Sequence, residues 1–314
     1  MEGESWVLIF DNADELDVIN DFWPTAAKGS VIITSQNPAS DRHLATQGTH
    51  LTPFAPADGV RCLEHLLGDK SINDGYRKLA QISEALGYLP LALDQMASFI
   101  LETDCTIASF QQMYRDRELA DELQGTAVAN THGYSKTVAA ALALSLERLG
   151  DIAGSTMSIL AFFDPDQVPE ELLRDSAAYI SYLSKPIVRE KIFKDLRSFS
   201  LITRNPEKKT VTIHRLVRDA SFRSLEVNSD LMQLAFENAL YLLCQVFPKQ
   251  LPSRDHMTEM WTDCETYVRH VISLHERYVQ IAENLAARPL EKFAELLYHC
   301  SWYVDAQSTD KSVY

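Results

Sequence analysis

The strongest constraint on the fold is a pair of short, unbroken apolar runs, Trp6–Phe10 (WVLIF) and Ser30–Thr34 (SVIIT). Apolarity without alternation fits strands covered on both faces, as in a parallel sheet. Between them Glu15–Phe22 has helical composition, and Pro24 ends it. Strand, helix, strand is the unit that joins parallel neighbours and gathers polar residues at the carboxyl ends of strands, where ligands collect. Asp11 ends the first run, and Thr34 and Ser35 end the second. A third short strand is predicted at Thr49–Leu51, before Pro53.

From Pro56 the periodicity becomes helical. Asp58 is positioned to cap a helix through Leu67, and Asn73 or Asp74 another through Leu86, which stops at Gly87. Pro90 then opens Leu91–Leu101, by the preference for proline at the first helical position and glycine past the last. Gly125–Tyr134, rich in Gly, Thr, Ala and Asn, is a linker, and helices are predicted at Thr137–Leu149 and Thr156–Phe163. Residues 185–225 then give a helix (Pro186–Phe199), a strand (Leu201–Arg204), a turn (Asn205–Lys209), a strand (Thr210–Ile213) and a helix from His214. That order is the signature of a winged helix. Helical periodicity resumes near Asp230, and Ala294–Ala306 looks like half of a helical hairpin.

Charge separates these regions. The 314-residue chain carries a net charge of −15, which argues against nonspecific binding to nucleic acid or to anionic membranes. Residues 185–225 hold eleven basic and four acidic side chains, a net +7, so the remainder is −22. The longest nearly apolar run, Val138 to Leu146, is broken by Ser145 and falls far short of the roughly 20 residues of a membrane span. The amino end, MEGESWVLIF, has two glutamates and no basic residue ahead of its apolar stretch, unlike a secretory signal. A cytoplasmic location is expected.

Standard catalytic signatures are missing. Five scattered cysteines (Cys62, Cys105, Cys244, Cys264, Cys300) lack zinc-knuckle or redox-dithiol spacing, so reduced, mostly buried thiols are expected. The sequence has no HExxH, no GxSxG elbow and no phosphate-cradling GxxxxGK[ST]. An apolar strand ending in aspartate, WVLIFDNAD, is still what a nucleoside triphosphatase uses to order Mg²⁺ beside the β- and γ-phosphates.

Read in order, WVLIFDNAD, GSVIITSQN, LTPFAPADG, ALGYLPLALDQMASFI, SKTVAAALALSLERL and VTIHRLVRD resemble the NB-ARC module of the STAND-class signalling NTPases. The closest resemblance is to fungal NOD-like proteins in which that module precedes tetratricopeptide repeats. The resemblance runs over roughly residues 4 to 300. It implies that Asp11 is the Walker B aspartate, holding Mg²⁺ through a water only if nucleotide binds. Asn12 replaces a second acid that polarises the attacking water. Thr34 and Ser35 end the sensor strand, with Gln36 in place of an arginine. Pro90 matches the proline that packs on adenine, and His214 the histidine that touches the β-phosphate of ADP. Arg215 replaces the acid that follows this histidine. The resemblance further implies a sequence that begins about where the third strand of the full domain would start, without the phosphate loop.

The fold expected is therefore a partial P-loop NTPase α/β sheet followed by mostly α structure, including a winged helix and the start of a helical repeat array. Expected boundaries are 1-55 for the end of the nucleotide-binding domain, 56-125 for a helical domain, 135-226 for the winged helix and 229-314 for the segment leading into repeats. The implied function is a fragment of an ADP/ATP-binding signalling switch, unable to hydrolyse ATP alone. Intact relatives use ADP or ATP with Mg²⁺, and no tightly bound nucleotide is expected here. Protein partners and self-oligomerisation are expected, but neither nucleic acid nor membrane. The alternatives are a nucleotide-independent interaction scaffold and a DNA-binding winged helix reading through Arg215, Arg218 and Arg223.

Overall fold

A computed structural model describes residues 6–11, 13, 19–20, 22–24, 29–35, 47–69, 75–123, 136–174, 179–250, 258–282 and 290–310. They form two compact units, Met1–Pro53 and Phe54–Tyr314.

In the first unit β1 (Val7–Phe10) and β2 (Ser30–Ile33) pair in parallel, Val7 opposite Ser30 and Phe10 opposite Ile33. The ladder runs past both ends, with Ser30 N–H bonding the Trp6 carbonyl and Thr34 N–H the Phe10 carbonyl, each at 2.9 Å. Gly29 is required here, since a Cβ on it would lie 2.0 Å from the Trp6 indole. The expectation of burial on both faces is met on one only. Leu8, Phe10, Val31 and Ile33 are half-buried, and Phe10 stacks on Trp23 at 6.3 Å. Val7, Ile9 and Ile32, on the opposite face, are exposed. Thr49–Leu51 is not a strand. It runs as exposed coil, and among the described residues no strand pairs with it. Of the helix expected at Glu15–Phe22, residues 19–20 are helical and buried Ile19 faces inward; most of the rest lies outside the described residues, as does the linker at Gly125–Tyr134.

The second unit begins with α1 (Pro56–Leu67), α2 (Gly75–Ala85), α3 (Pro90–Thr103) and α4 (Ile107–Leu123). α1 starts two residues before Asp58, because Pro56 takes the first helical position; Asp58 instead pairs with Arg61 at 2.6 Å. After α2 the chain turns through Gly87 and Tyr88, both at positive φ, and Pro90 opens α3 as its sequence suggests. Gly59 of α1 lets the Tyr88 ring approach, since a Cβ there would sit 2.9 Å from it.

Then follow α5 (Lys136–Glu147) and α6 (Asp151–Leu160). α6 starts five residues earlier than expected. The hydroxyls of Thr156 and Ser158 bond back to the Ile152 and Gly154 carbonyls, at 2.9 and 3.0 Å, as interior helix residues do, so neither caps the helix. Next come β3 (Val168–Pro169), a 3₁₀ turn (Glu170–Leu173), α7 (Pro186–Ser198), β4 (Ile202–Asn205), β5 (Thr210–Ile213) and α8 (Arg215–Leu225). β5 lies between β3 and β4 in a three-stranded antiparallel sheet, with Ile202 opposite Ile213 and Val168 opposite Val211. The Asn205 carboxamide accepts the Lys208 N–H at 3.0 Å and Lys209 takes φ +51°, which closes the hairpin turn.

α9 (Ser229–Val246), α10 (Trp261–Ile281) and α11 (Leu290–Asp310) complete the unit. Phe236 of α9 joins these helices to the rest. Its ring meets Phe162 at 5.8 Å, Tyr278 at 5.3 Å and Phe293 at 5.6 Å, and Phe162 in turn meets Phe222 of α8 at 5.3 Å. Each such edge or tilted contact adds about 0.5–1.5 kcal/mol to burial. One continuous core runs from Val60 to Tyr303.

Candidate functional site

Residues singled out by sequence lie at element ends in both units, Asp11, Thr34 and Ser35 in the first and Pro90 and His214 in the second. In the first unit Asp11 and Thr34 follow adjacent parallel strands. The Thr34 hydroxyl donates to Asp11 Oδ1 at 2.5 Å, and Ala13 N–H bonds the Thr34 carbonyl at 2.8 Å. The ladder thus fixes an exposed carboxylate at the carboxyl edge of the two strands. Ser35 is half-buried just past it, and Asn12 and Gln36 lie outside the described residues. Among the described residues no group of three or more His, Cys, Asp or Glu is placed to hold a metal by itself.

In the second unit Pro90 is the first residue of α3, after the extended Leu89. His214 is the N-cap of α8, where its Nδ1 accepts the Leu216 N–H at 3.3 Å. That bond assigns the ring hydrogen to Nε2, leaving a donor beside the first turn of the helix. Desolvation, with the adjacent Arg215 charge, lowers the His214 pKa below its ordinary value. The imidazole is therefore neutral at pH 7 and offers a hydrogen bond without a charge. Arg215 pairs with Asp166 at 3.2 Å.

The basic character of residues 185–225 is partly consumed internally. Arg204 of β4 makes two double-bonded pairs. Its Nε and Nη2 reach Glu170 at 2.5 and 2.9 Å, and its Nη1 and Nη2 reach Glu190 of α7 at 2.7 and 2.9 Å. Its guanidinium also lies 4.7 Å from the Phe193 ring centre. Asp219 of α8 pairs with Arg218 at 3.2 Å and with Arg277 of α10, which lies 4.3 Å over Phe222. Lys191, Lys194, Arg197, Lys208 and Lys209 remain exposed. Nothing in the sequence marks Arg204, because its partner Glu170 is 34 positions away. All five cysteines are free; burial raises the thiol pKa of Cys62, Cys244 and Cys300 and takes that of Cys264 to about 11, so these four stay protonated and unreactive. Among the described residues no helix is long and apolar enough to cross a membrane.

Residues 144–229 match a family model described as a domain of unknown function, DUF7779. The match spans the end of α5 through the start of α9, and so contains the whole three-stranded sheet and its helices. A protein of Hyaloscypha variabilis named "Nucleotide-binding leucine-rich repeat (NLR)-like protein" is similar to this chain, with 23% identity over 274 residues. The likeness is distant. It covers 77% of this chain and 26% of that protein, so the chain spans about a quarter of the relative's length.

Proposed function

We propose that this chain is part of a nucleotide-controlled signalling switch of the STAND type. In this reading residues 1-55 supply the end of an NB-ARC α/β domain and 56-125 a helical segment. Residues 135-226 form a winged helix, and 229-314 begin a tetratricopeptide-like array. The observation that carries it is His214, a neutral N-cap histidine whose Nε2 is a donor at a helix start, suited to a phosphate oxygen. The NLR-like relative, similar over 77% of the chain, supports the same reading.

Pro90 would pack on adenine and His214 would hold the β-phosphate of ADP. Asp11, steadied by Thr34, with Ser35 next to Thr34 just past the end of β2, would order a Mg²⁺-bound water. Mg²⁺ supplies charge neutralisation at the phosphates when bound. Residues 1–314 contain no phosphate loop, so ADP binding is expected to be weak, with Kd above about 100 µM. Partners are other proteins, including further copies of the switch. The ion pairs of Arg215 and Arg218 with Asp166 and Asp219 favour a winged helix clamped within its own molecule over one that reads DNA. A second reading, favoured for residues 1–314 taken alone because they hold no GxxxxGK[ST], is a nucleotide-independent interaction scaffold.

Equilibrium titration with Mg·ADP tests the choice. Saturable weak binding is expected, weakened about fivefold in His214→Ala by loss of one hydrogen bond, with no ATP turnover. Absence of binding at 10-fold higher nucleotide than this range, on the order of millimolar, would establish the scaffold reading. Turnover abolished by Asp11→Ala would refute the non-hydrolysing assignment.

A further inference from the structure

α3 meets α7 at one narrow polar joint. After α7 the chain reverses at Ser200, whose φ is +51°, a conformation that a residue with a Cβ keeps only when its surroundings fix it. Its own turn contributes two bonds, Ser200 N–H to the Arg197 carbonyl at 2.9 Å and Leu201 N–H to the Leu196 carbonyl at 3.0 Å. α3 contributes the rest. Fully buried Gln95 donates Nε2 to the Ser200 carbonyl at 2.8 Å, and the Ser98 and Ser200 hydroxyls lie 2.6 Å apart. The Phe99 and Phe199 rings meet beside them at 6.3 Å. An open cleft of about 270 Å³ adjoins the joint, lined by Asp94, Arg197, Ser200, Ile202, Thr203 and Arg204.

The charges around that cleft differ in availability. Arg204 is saturated by Glu170 and Glu190. Arg197, on the α7 side, is exposed, and among the described residues no carboxylate lies within ion-pairing distance of it. Asp94, on the α3 side, likewise has no cationic partner among them. Lys191, Lys194 and Arg197 stand nine, six and three positions before Ser200. A cation three residues before a hydroxyl is the charge pattern that basophilic Ser/Thr kinases select. The neighbouring Ser198 has Asp195 at that position, and its Oγ is tied to the Asp195 carbonyl at 2.9 Å.

We propose that Ser200 is a phosphorylation site for a basophilic kinase, and that its phosphate releases α3 from the turn between α7 and β4. The transfer forms a bond between Ser200 Oγ and the γ-phosphorus of ATP and breaks the bond from that phosphorus to the β–γ bridging oxygen. ADP leaves, and the hydroxyl proton passes to the kinase's carboxylate and then to solvent. The new group carries a charge of about −1.5 to −2 at pH 7. It displaces the Ser98 hydroxyl and faces the Asp94 carboxylate, which repels it from the α3 side. Arg197, on its own side, captures it by charge-assisted hydrogen bonds. The acceptor hydroxyl is half-buried while the joint is closed, so transfer takes the open form and the phosphate retains it. The proposal requires no nucleotide bound by this chain and stands apart from the switch reading.

The full chain is incubated with Mg·ATP and the catalytic subunit of cyclic-AMP-dependent protein kinase as a basophilic probe. Sites are mapped by mass spectrometry and amide exchange is compared before and after. Ser200 should take the phosphate and Ser198 should not. Ser98→Ala, which removes the hydroxyl across the joint, should be modified several-fold faster. Exchange in α3 and β4 should rise about tenfold on modification. No phosphate on Ser200 in either chain, equal rates in the two, or a modified Ser200 with unchanged α3 exchange would overturn the proposal.

Discussion

Arg204→Ala is expected to destabilise the second unit by about 3 kcal/mol, an effect of the size seen when a largely buried ion pair loses one partner. Arg204 is 17% exposed and bonds two carboxylates, so its removal leaves Glu170, itself 18% exposed, with an uncompensated charge. Glu190 contributes less, because it is 61% exposed and solvent screens it. The residue also joins three elements, β4, α7 and the 3₁₀ turn after β3, and it stacks on Phe193. Arg204→Lys keeps the charge but offers no planar fork, and should recover less than half of the loss. Denaturant titration of the three chains checks this; a loss within about 0.5 kcal/mol of zero, the range of ordinary surface changes, would show that the network contributes nothing net.

Acid lability should come from His270 of α10. Its side chain is fully buried, neither ring nitrogen meets a partner in good hydrogen-bond geometry among the described residues, the Asp164 backbone offsets the burial only in part, and the Phe163 ring meets it edge-on at 5.9 Å. Burial, reinforced by the Arg269 charge, pushes its pKa from 6.5 down to about 3. The folded state therefore holds His270 neutral while the unfolded chain takes up a proton near pH 6.5. Its stability contribution is complete above that value and is lost as pH falls towards 3. Between pH 7.5 and 5.0 the loss is about 2 kcal/mol, or about 5 °C in Tm for a unit of this size. Asp164, raised above its ordinary value mainly by burial, contributes with the opposite sign and softens the fall. His270→Phe should flatten the dependence between pH 7.5 and 5.0. An unchanged slope in that variant would assign the acid sensitivity to other groups.

The local grammar of the fold was legible where one residue type decides an outcome. Pro90 opens α3, Gly87 ends the helix before it, and His214 separates β5 from α8, all within reach of short-range rules. The strand expected at Thr49–Leu51 does not form, because three residues before a proline carry no information on a pairing neighbour. The helix expected from Thr156 starts five residues earlier, at Asp151, because the Thr156 and Ser158 hydroxyls satisfy themselves on the preceding turn and so sit inside α6. β3 was missed altogether; two residues held by Val211 and Thr210 leave no periodicity to read. In the candidate site, Asp11 and Thr34 were found as separate strand ends, and the hydrogen bond between them follows from the parallel register. The Arg204 cluster and the Ser200 joint rest on partners 34 and about a hundred positions away, respectively, and single-sequence patterns carry no such information.

Hydrogen exchange with and without Mg·ADP, at nucleotide concentrations on the order of millimolar, tests the switch reading most directly. Nucleotide control predicts slower exchange in the first turn of α3 after Pro90 and at residues 214–218, with the second effect absent in His214→Ala. Unchanged exchange in every element at that concentration would contradict nucleotide control and leave this chain as an interaction scaffold.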